Sequence, residues 1–303
     1  MPAAAHAPAA TRPTSPATLW RRAQFTDRLY LAWFAGLAVL VAWQRVEGWP
    51  VLVGLHIAAV ALIAGLVAGA GRLPAAHAWY PLLVPLVTFP EVARLNLMIV
   101  PAWQDAPLLA FEAWLFPEPP TAWLPRVTPV VVAELFRAGY LSYFVLLLIV
   151  AARFWRRREE AAFRGVIAAS VLAYLVCYVV FLAWPMEGPA HTLRHLAAEP
   201  IAGGPLRDLV VFVQRAGVHG NAFPSAHVAG ALPPLVFAWR ASRRLGTVLA
   251  ALITLMGFGA VHDGYHYASD VVAGAVVGAA AAAIVLAAQH APAWARRLNL
   301  PAA

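Results

Sequence analysis

The chain has 303 residues, 62% of them hydrophobic and only 12% charged. No single soluble core hides that much apolar surface, so a soluble globular fold is excluded and a polytopic membrane protein is implied. The net charge of +8 comes from 22 arginines and no lysine, and it reads as a membrane orientation signal, not a nucleic-acid footprint.

Residues 1–28 are rich in Ala, Pro and Thr, carry Arg12, Arg21, Arg22 and Arg28 and lack apolar periodicity, which predicts a disordered cytoplasmic tail. Apolar runs at 29–44 and 50–70 supply two additional spans within 29–78. The first has no small-x-small cleavage site before Arg45 and reads as an uncleaved span. A third run, 79–100, contains Pro81, Pro85 and Pro90 and is expected to kink, because each internal proline removes a backbone donor. Residues 101–129 turn polar, with Asp105, Glu112 and Glu118, and Leu108–Phe116 reads as a helix lying on the membrane surface over the outer mouth of the bundle. Runs at 130–152, 166–184, 224–241, 246–262 and 266–288 follow. The expected fold is an all-α polytopic membrane helical bundle of about eight transmembrane spans, with a six-span core at 79–288 and a cytoplasmic tail at 289–303. Cys177, the single cysteine, lies within an apolar run and leaves no disulfide or cysteine-based zinc site available.

Charge sets the orientation. With the amino terminus inside, the inner segments hold fifteen arginines against three acids, and the outer segments hold seven arginines and eleven acids. This asymmetry places the 185–227 loop and the 262–270 stretch outside a cytoplasmic (plasma) membrane.

Two short polar stretches carry the chemistry, Asn221-Ala-Phe-Pro-Ser-Ala-His227 and His262-Asp-Gly-Tyr-His266-Tyr-Ala-Ser-Asp270. The 39 positions from His227 to His266 amount to roughly 58 Å of helix, close to two crossings of a ~30 Å hydrocarbon core, so both histidines return to one membrane face. Pro224 to His227 opens a span, and the amides of Ser225, Ala226 and His227 at that helix start favour an anion, with phosphate the obvious candidate. Asn221 reads as a cap. His266 and Asp270 are four apart, so on a helix the carboxylate can take a hydrogen bond from one ring nitrogen and leave the other free as a nucleophile. His227 can then protonate a leaving oxygen. The trio supports two-step phosphoryl transfer through a phosphohistidine.

Phe-Pro-Ser-Ala-His227 and His266-Tyr-Ala-Ser-Asp270-Val-Val-Ala-Gly274 resemble the second and third signature motifs of the type 2 phosphatidic acid phosphatase superfamily. Tyr140-Leu-Ser-Tyr143, Pro185-Met-Glu-Gly-Pro189 and the His-Tyr-x-x-Asp form are similar to its inositol phosphorylceramide synthase branch. The resemblance covers roughly 79–288 and implies a six-span phosphatase-like core with His266 as nucleophile, Asp270 as its orienting partner, His227 as acid, and neither metal nor other cofactor. The substrate it implies is a lipid phosphate or phospholipid, with water, an alcohol or inositol as acceptor.

The chain departs from the superfamily pattern in two places. Gly259 and Ala260 stand where Ser-Arg is usual, and Pro185–Pro189 carries no basic residue where the first motif provides a lysine and an arginine. The phosphate clamp must therefore come from elsewhere, with Arg137, Arg194, Ser225, Tyr140 and Tyr143 as substrate-binding candidates and Arg207 and Arg215 as solvated or headgroup-facing residues. Two other classes compete: a metal-dependent hydrolase using His262, His266 and Asp270 on one helical face, and a proton-coupled transporter built on intramembrane ionisable residues. His56 and His77 read as packing or boundary residues.

Overall fold

The computed structural model describes residues 16–193 and 203–291. The expectations for most of the amino-terminal tail, for Arg194 and for the carboxy-terminal tail beyond 291 lie outside the described residues. Within them the chain is all-helical. Helix α1 (Pro16–Arg22) leads into the long pair α2 (Phe25–Gln44) and α3 (Trp49–Ala68). Four short helices follow, α4 (Pro74–Trp79), α5 (Pro85–Leu95), α6 (Asp105–Leu115) and α7 (Pro120–Val127). The core is α8 (Val130–Arg156), α9 (Glu160–Ala183), α12 (Ala226–Ala241), α13 (Arg243–His262) and α14 (Ala268–His290), with α10 (Pro189–Thr192) and α11 (Pro205–Ala216) between α9 and α12.

Six of these helices, α2, α3, α8, α9, α13 and α14, are long and apolar enough to cross a membrane. The other two expected spans are shorter. The run 79–100 is divided by 3-10 turns at Tyr80–Leu82 and Asn96–Met98 around α5, which contains Pro90. This is the break that three prolines in one run impose. Helix α12 has 16 residues, about 24 Å of rise. Its length is compensated by its position, since it packs against α8, α9, α13 and α14 together.

Small residues let these helices approach. Gly139 of α8 lies so close to α13 that a Cβ there would stand 2.8 Å from the Met256 nitrogen, and a Cβ at Gly274 of α14 would collide with the Ser225 carbonyl oxygen at the start of α12. Such contact between helix backbones replaces the hydrophobic drive that is missing between helices in lipid. Helix α9, apolar on every side, is the most enclosed of the six spanning helices, at 72% buried.

Helix direction separates two ends of the bundle. The ends of α8, α12 and α14 and the start of α9 gather at one, where Gln289 donates to the Ala161 carbonyl at 2.7 Å and Arg240 meets His290 at 3.5 Å. That end carries the arginine-rich turns 153–164 and 240–244. The starts of α12 and α14 and the end of α13 gather at the other, together with both polar motifs. His56 and His77, expected as packing or boundary residues, each hold a carboxylate: His56 bonds Glu91 at 2.7 Å, and His77 bonds the buried Asp27 at 2.9 Å, which also accepts from Tyr80. Paired in this way, the acids avoid the cost of lone charges in an apolar setting.

Gly274→Ala should wedge α12 from α14. The expected cost is about 1–3 kcal/mol, typical of overpacking, read as a lower midpoint of thermal unfolding in detergent; an unchanged midpoint would show that the crossing is loose.

Candidate active site

His266 sits in the turn between α13 and α14, outside both helices, with Tyr267 as the N-cap of α14 and Asp270 at its third position. The expected pairing of His266 with Asp270 on one helical face is thus made by a helix cap. Asp270 Oδ2 accepts the Tyr267 amide at 2.8 Å, and His266 Nδ1 lies 2.9 Å from the Ala222 carbonyl and 3.4 Å from Asp270 Oδ2. A carbonyl can only accept, so Nδ1 carries the hydrogen and Nε2 keeps its lone pair. The short bond runs to Ala222, and the carboxylate is the longer arm of a forked contact.

His227, the second residue of α12, faces this ring with centroids 5.7 Å apart. The expected return of the two histidines to one end of the bundle therefore holds. Tyr143 packs edge-on against His227 at 4.5 Å, and the Tyr140 hydroxyl lies 3.5 Å from its Nε2. The start of α12 is fixed by two bonds, from the Ser225 amide to the Asp270 carbonyl at 3.0 Å and from the Val228 amide to Ser225 Oγ at 3.4 Å. Among the described residues this leaves the amides of Ala226 and His227 as the donors at the helix start.

Both histidines line a cavity of about 390 Å³, with Phe89, Tyr140, Phe144, Phe212, Tyr265, Asn221, Glu187 and His191 around them. Aromatic and apolar residues share its walls with a small number of polar groups, the usual build of a small-ligand site. Burial pushes the His266 imidazole down to about 4, against a smaller opposing effect of its bond to Ala222. The ring is therefore neutral at pH 7, as its lone pair requires.

The remaining candidates divide. Tyr140 lines the cavity, whereas Tyr143 reaches past His227 to the Tyr174 hydroxyl at 3.1 Å. Ser225 is fully buried as the cap of α12. Asn221 takes a left-handed conformation, φ 59°, and donates to the Phe89 carbonyl at 3.1 Å. Arg137 is buried away from the cavity, with its guanidinium held by Asp263 at 3.2 Å and Glu134 at 2.7 Å. Two carboxylates already answer its charge. Arg207 lies beside Asp208 on α11. His262 ends α13 and bonds Asp263 at 2.8 Å, so His262, His266 and Asp270 do not share the single helical face that a metal site at that spacing needs.

Two residues of the site escaped the sequence reading. Asp105 and Glu112 of α6, expected on a wet surface helix, are buried against the start of α14. Asp105 accepts the amides of Glu187 and Gly188 at 2.8 and 2.9 Å and the Tyr267 hydroxyl at 3.1 Å. Glu112 accepts both the amide and the hydroxyl of Ser269 at 2.8 Å. One signal was present: Asp105, Leu108 and Glu112 recur at i, i+3 and i+7, so the acids share the stripe of the buried leucine.

Residues 106–284 match the family model of the PAP2 superfamily. The chain belongs to that superfamily. The PAP2 match takes in Glu112, Arg137, His227, His266 and Asp270, and leaves α1–α5 in front. Membership places the chain among membrane phosphatases. The crystal structure of Aquifex aeolicus LpxE aligns at 20% identity and a TM-score of 0.41, covering 55% of this chain and 92% of that one. No curated protein matches the sequence.

Replacing Asp105 with Ala removes three bonds from two chain segments at once. A loss of at least about 2 kcal/mol is expected, since bonds to a charged acceptor are worth more than neutral ones, and slower proteolysis of the wild type at the 185–193 turn should report it; equal rates would show that the turn is held by other contacts.

Proposed function

We propose that this PAP2 protein is a lipid phosphatase or phosphotransferase that works through a phosphohistidine at the outer membrane face, closest to the inositol phosphorylceramide synthase-like branch. The observation that carries the reading is the cavity in which a neutral, Nδ1-protonated His266 faces His227 across 5.7 Å. A lipid phosphate enters sideways from the bilayer. The Nε2 lone pair of His266 attacks phosphorus, an N–P bond forms, and the P–O bond to the leaving group breaks. His227 gives its proton to the departing oxygen. The arriving anion favours the protonated form of that imidazole. Water, an alcohol or inositol then attacks phosphorus, the N–P bond breaks, and His227 takes back the acceptor's proton.

Asp270 positions His266 from behind, as the second acceptor facing its Nδ1 hydrogen at 3.4 Å. The amides of Ala226 and His227 and the Tyr140 hydroxyl receive the phosphoryl oxygens, with Arg194, outside the described residues, as the candidate cation on sequence grounds. Ser225 contributes by fixing the helix start, Tyr143 by packing His227, and Arg137 by holding the Asp263 turn. No metal takes part in bond making or breaking. The outer orientation rests on the arginine-rich turns at the opposite end of the bundle, and reporter fusions after Arg158 and after Arg194 should report opposite sides.

Purified protein with a phosphorus-labelled lipid phosphate should release label, or pass it to an alcohol, in EDTA. His266→Ala should lower the rate by at least 1,000-fold with insertion intact; residual turnover near the wild-type rate would remove the nucleophile. Because burial pushes the His266 imidazole down to about 4, the loss of kcat/KM that comes from protonating the nucleophile should set in only as the pH falls toward 4, tenfold per unit below it. An acid limb near 6.5 would mean that the ring is not buried in the working enzyme.

A further inference from the structure

The proposed phosphate cavity has an acid, Glu187, in its lining and, among the described lining residues, no arginine. Glu187 stands in the turn before α10, His191 within α10, and His219 in the loop that leads to α12. Their ligand atoms lie within 4.8 Å of one another. His219 Nε2 meets Glu187 Oε1 at 2.8 Å, the two imidazoles face each other at 4.1 Å between centroids, and Trp103 flanks His219 at 5.1 Å. The backbone beneath is pinned, because Asp105 accepts the amides of Glu187 and Gly188.

An uncompensated carboxylate beside an incoming phosphate would repel it. One carboxylate and two imidazoles form instead the donor set of a zinc site that keeps a fourth position open. Ligand atoms around tetrahedral zinc lie roughly 3.4 Å apart, so side-chain rotations close the cluster without moving the helices. Glu187 and His191 also line the cavity that holds His227 and His266, so a cation bound there would share that cavity with the phosphate.

We propose that Glu187, His191 and His219 bind one divalent transition-metal cation, zinc by preference, and that the bound cation supplies the positive charge at the phosphate entrance that the chain lacks in its first motif. The cation holds a phosphoryl oxygen electrostatically and leaves bond making and breaking to the histidines. Its effect is on substrate binding, and this part rests on the phosphatase reading; the metal site itself does not.

The test uses full-length protein in detergent, stripped with EDTA and dialysed. Zinc binding is measured by competition with a chromophoric chelator, and cobalt substitution is followed by visible absorption. The wild type should bind one more equivalent than His191→Ala/His219→Ala, with four-coordinate cobalt bands that the double variant lacks; each variant's unfolding midpoint is recorded to confirm that it is folded. His219→Ala and Glu187→Gln, made singly, should each weaken zinc at least tenfold. Equal stoichiometry, or equal cobalt spectra, in wild type and the double variant overturns the site. In the labelled assay, zinc should lower the wild-type KM for a lipid phosphate about fivefold or more with kcat little changed. Stoichiometric binding with no change in KM would keep the metal site and overturn its role in phosphate capture, while absence of turnover in every preparation would count against the phosphatase reading and leave the binding result standing.

Discussion

The bond from the Ser225 amide to the Asp270 carbonyl, 3.0 Å long, joins two residues 45 apart in sequence at the starts of two helices. Everything at the site is referred to it. On one side it sets His227, two residues into α12; on the other it sets the cap that places His266. The contact exists only because Gly274 lets α14 lie against the first turn of α12. A hydrogen bond between two backbones in an apolar surround has no water to compete with it, which is why so short a strut can hold a geometry on the ångström scale.

Buried charge is the second constraint, and the chain meets it by pairing. Arg137 lies between Asp263 and Glu134, and Glu134 also accepts the Leu206 amide at 2.8 Å, so a helix within the bundle, the turn before His266 and the start of α11 are held by one charge network. Removing the guanidinium would leave the buried Asp263 with His262 as its remaining side-chain partner, a larger penalty than the pair itself contributes. This explains why an arginine on an apolar helix need not be a substrate ligand. Intramembrane charge marks a role, but a role in holding the turn answers the cost as well as a role in chemistry.

The parts of the structure legible in the sequence are those that depend on local pattern. Apolar runs gave the long helices, the prolines at 81, 85 and 90 gave the broken stretch, and helix rise alone returned His227 and His266 to one face. The missing parts depend on which residue meets which across the chain. Nothing local says that Ala222, 44 residues before His266, supplies the acceptor for its Nδ1 hydrogen, or that Asp105 reaches Tyr267 over 162 positions. The acids of α6 were readable in principle from their shared stripe with Leu108. Composition pulled the other way, because acids and prolines together suggest a wet surface, and only burial against α14 decides between the two.

The placement of the polar groups also separates this fold from a carrier. In an alternating-access protein the charged groups belong near the midplane, where both faces can reach them in turn. Here the polar groups of the candidate site, the two histidines with Asp270, Asp105, Glu112 and Asp263, gather where α12 and α14 begin and α13 ends, while the buried histidines of the front helices are tied in pairs, His56 with Glu91 and His77 with Asp27. A helix start offers unpaired amides, a turn offers a side chain outside the hydrogen-bonded ladder, and a bundle end offers water as an acceptor. An anionic headgroup at the membrane surface needs all three at once, and a site buried at mid-depth could provide at most the first two.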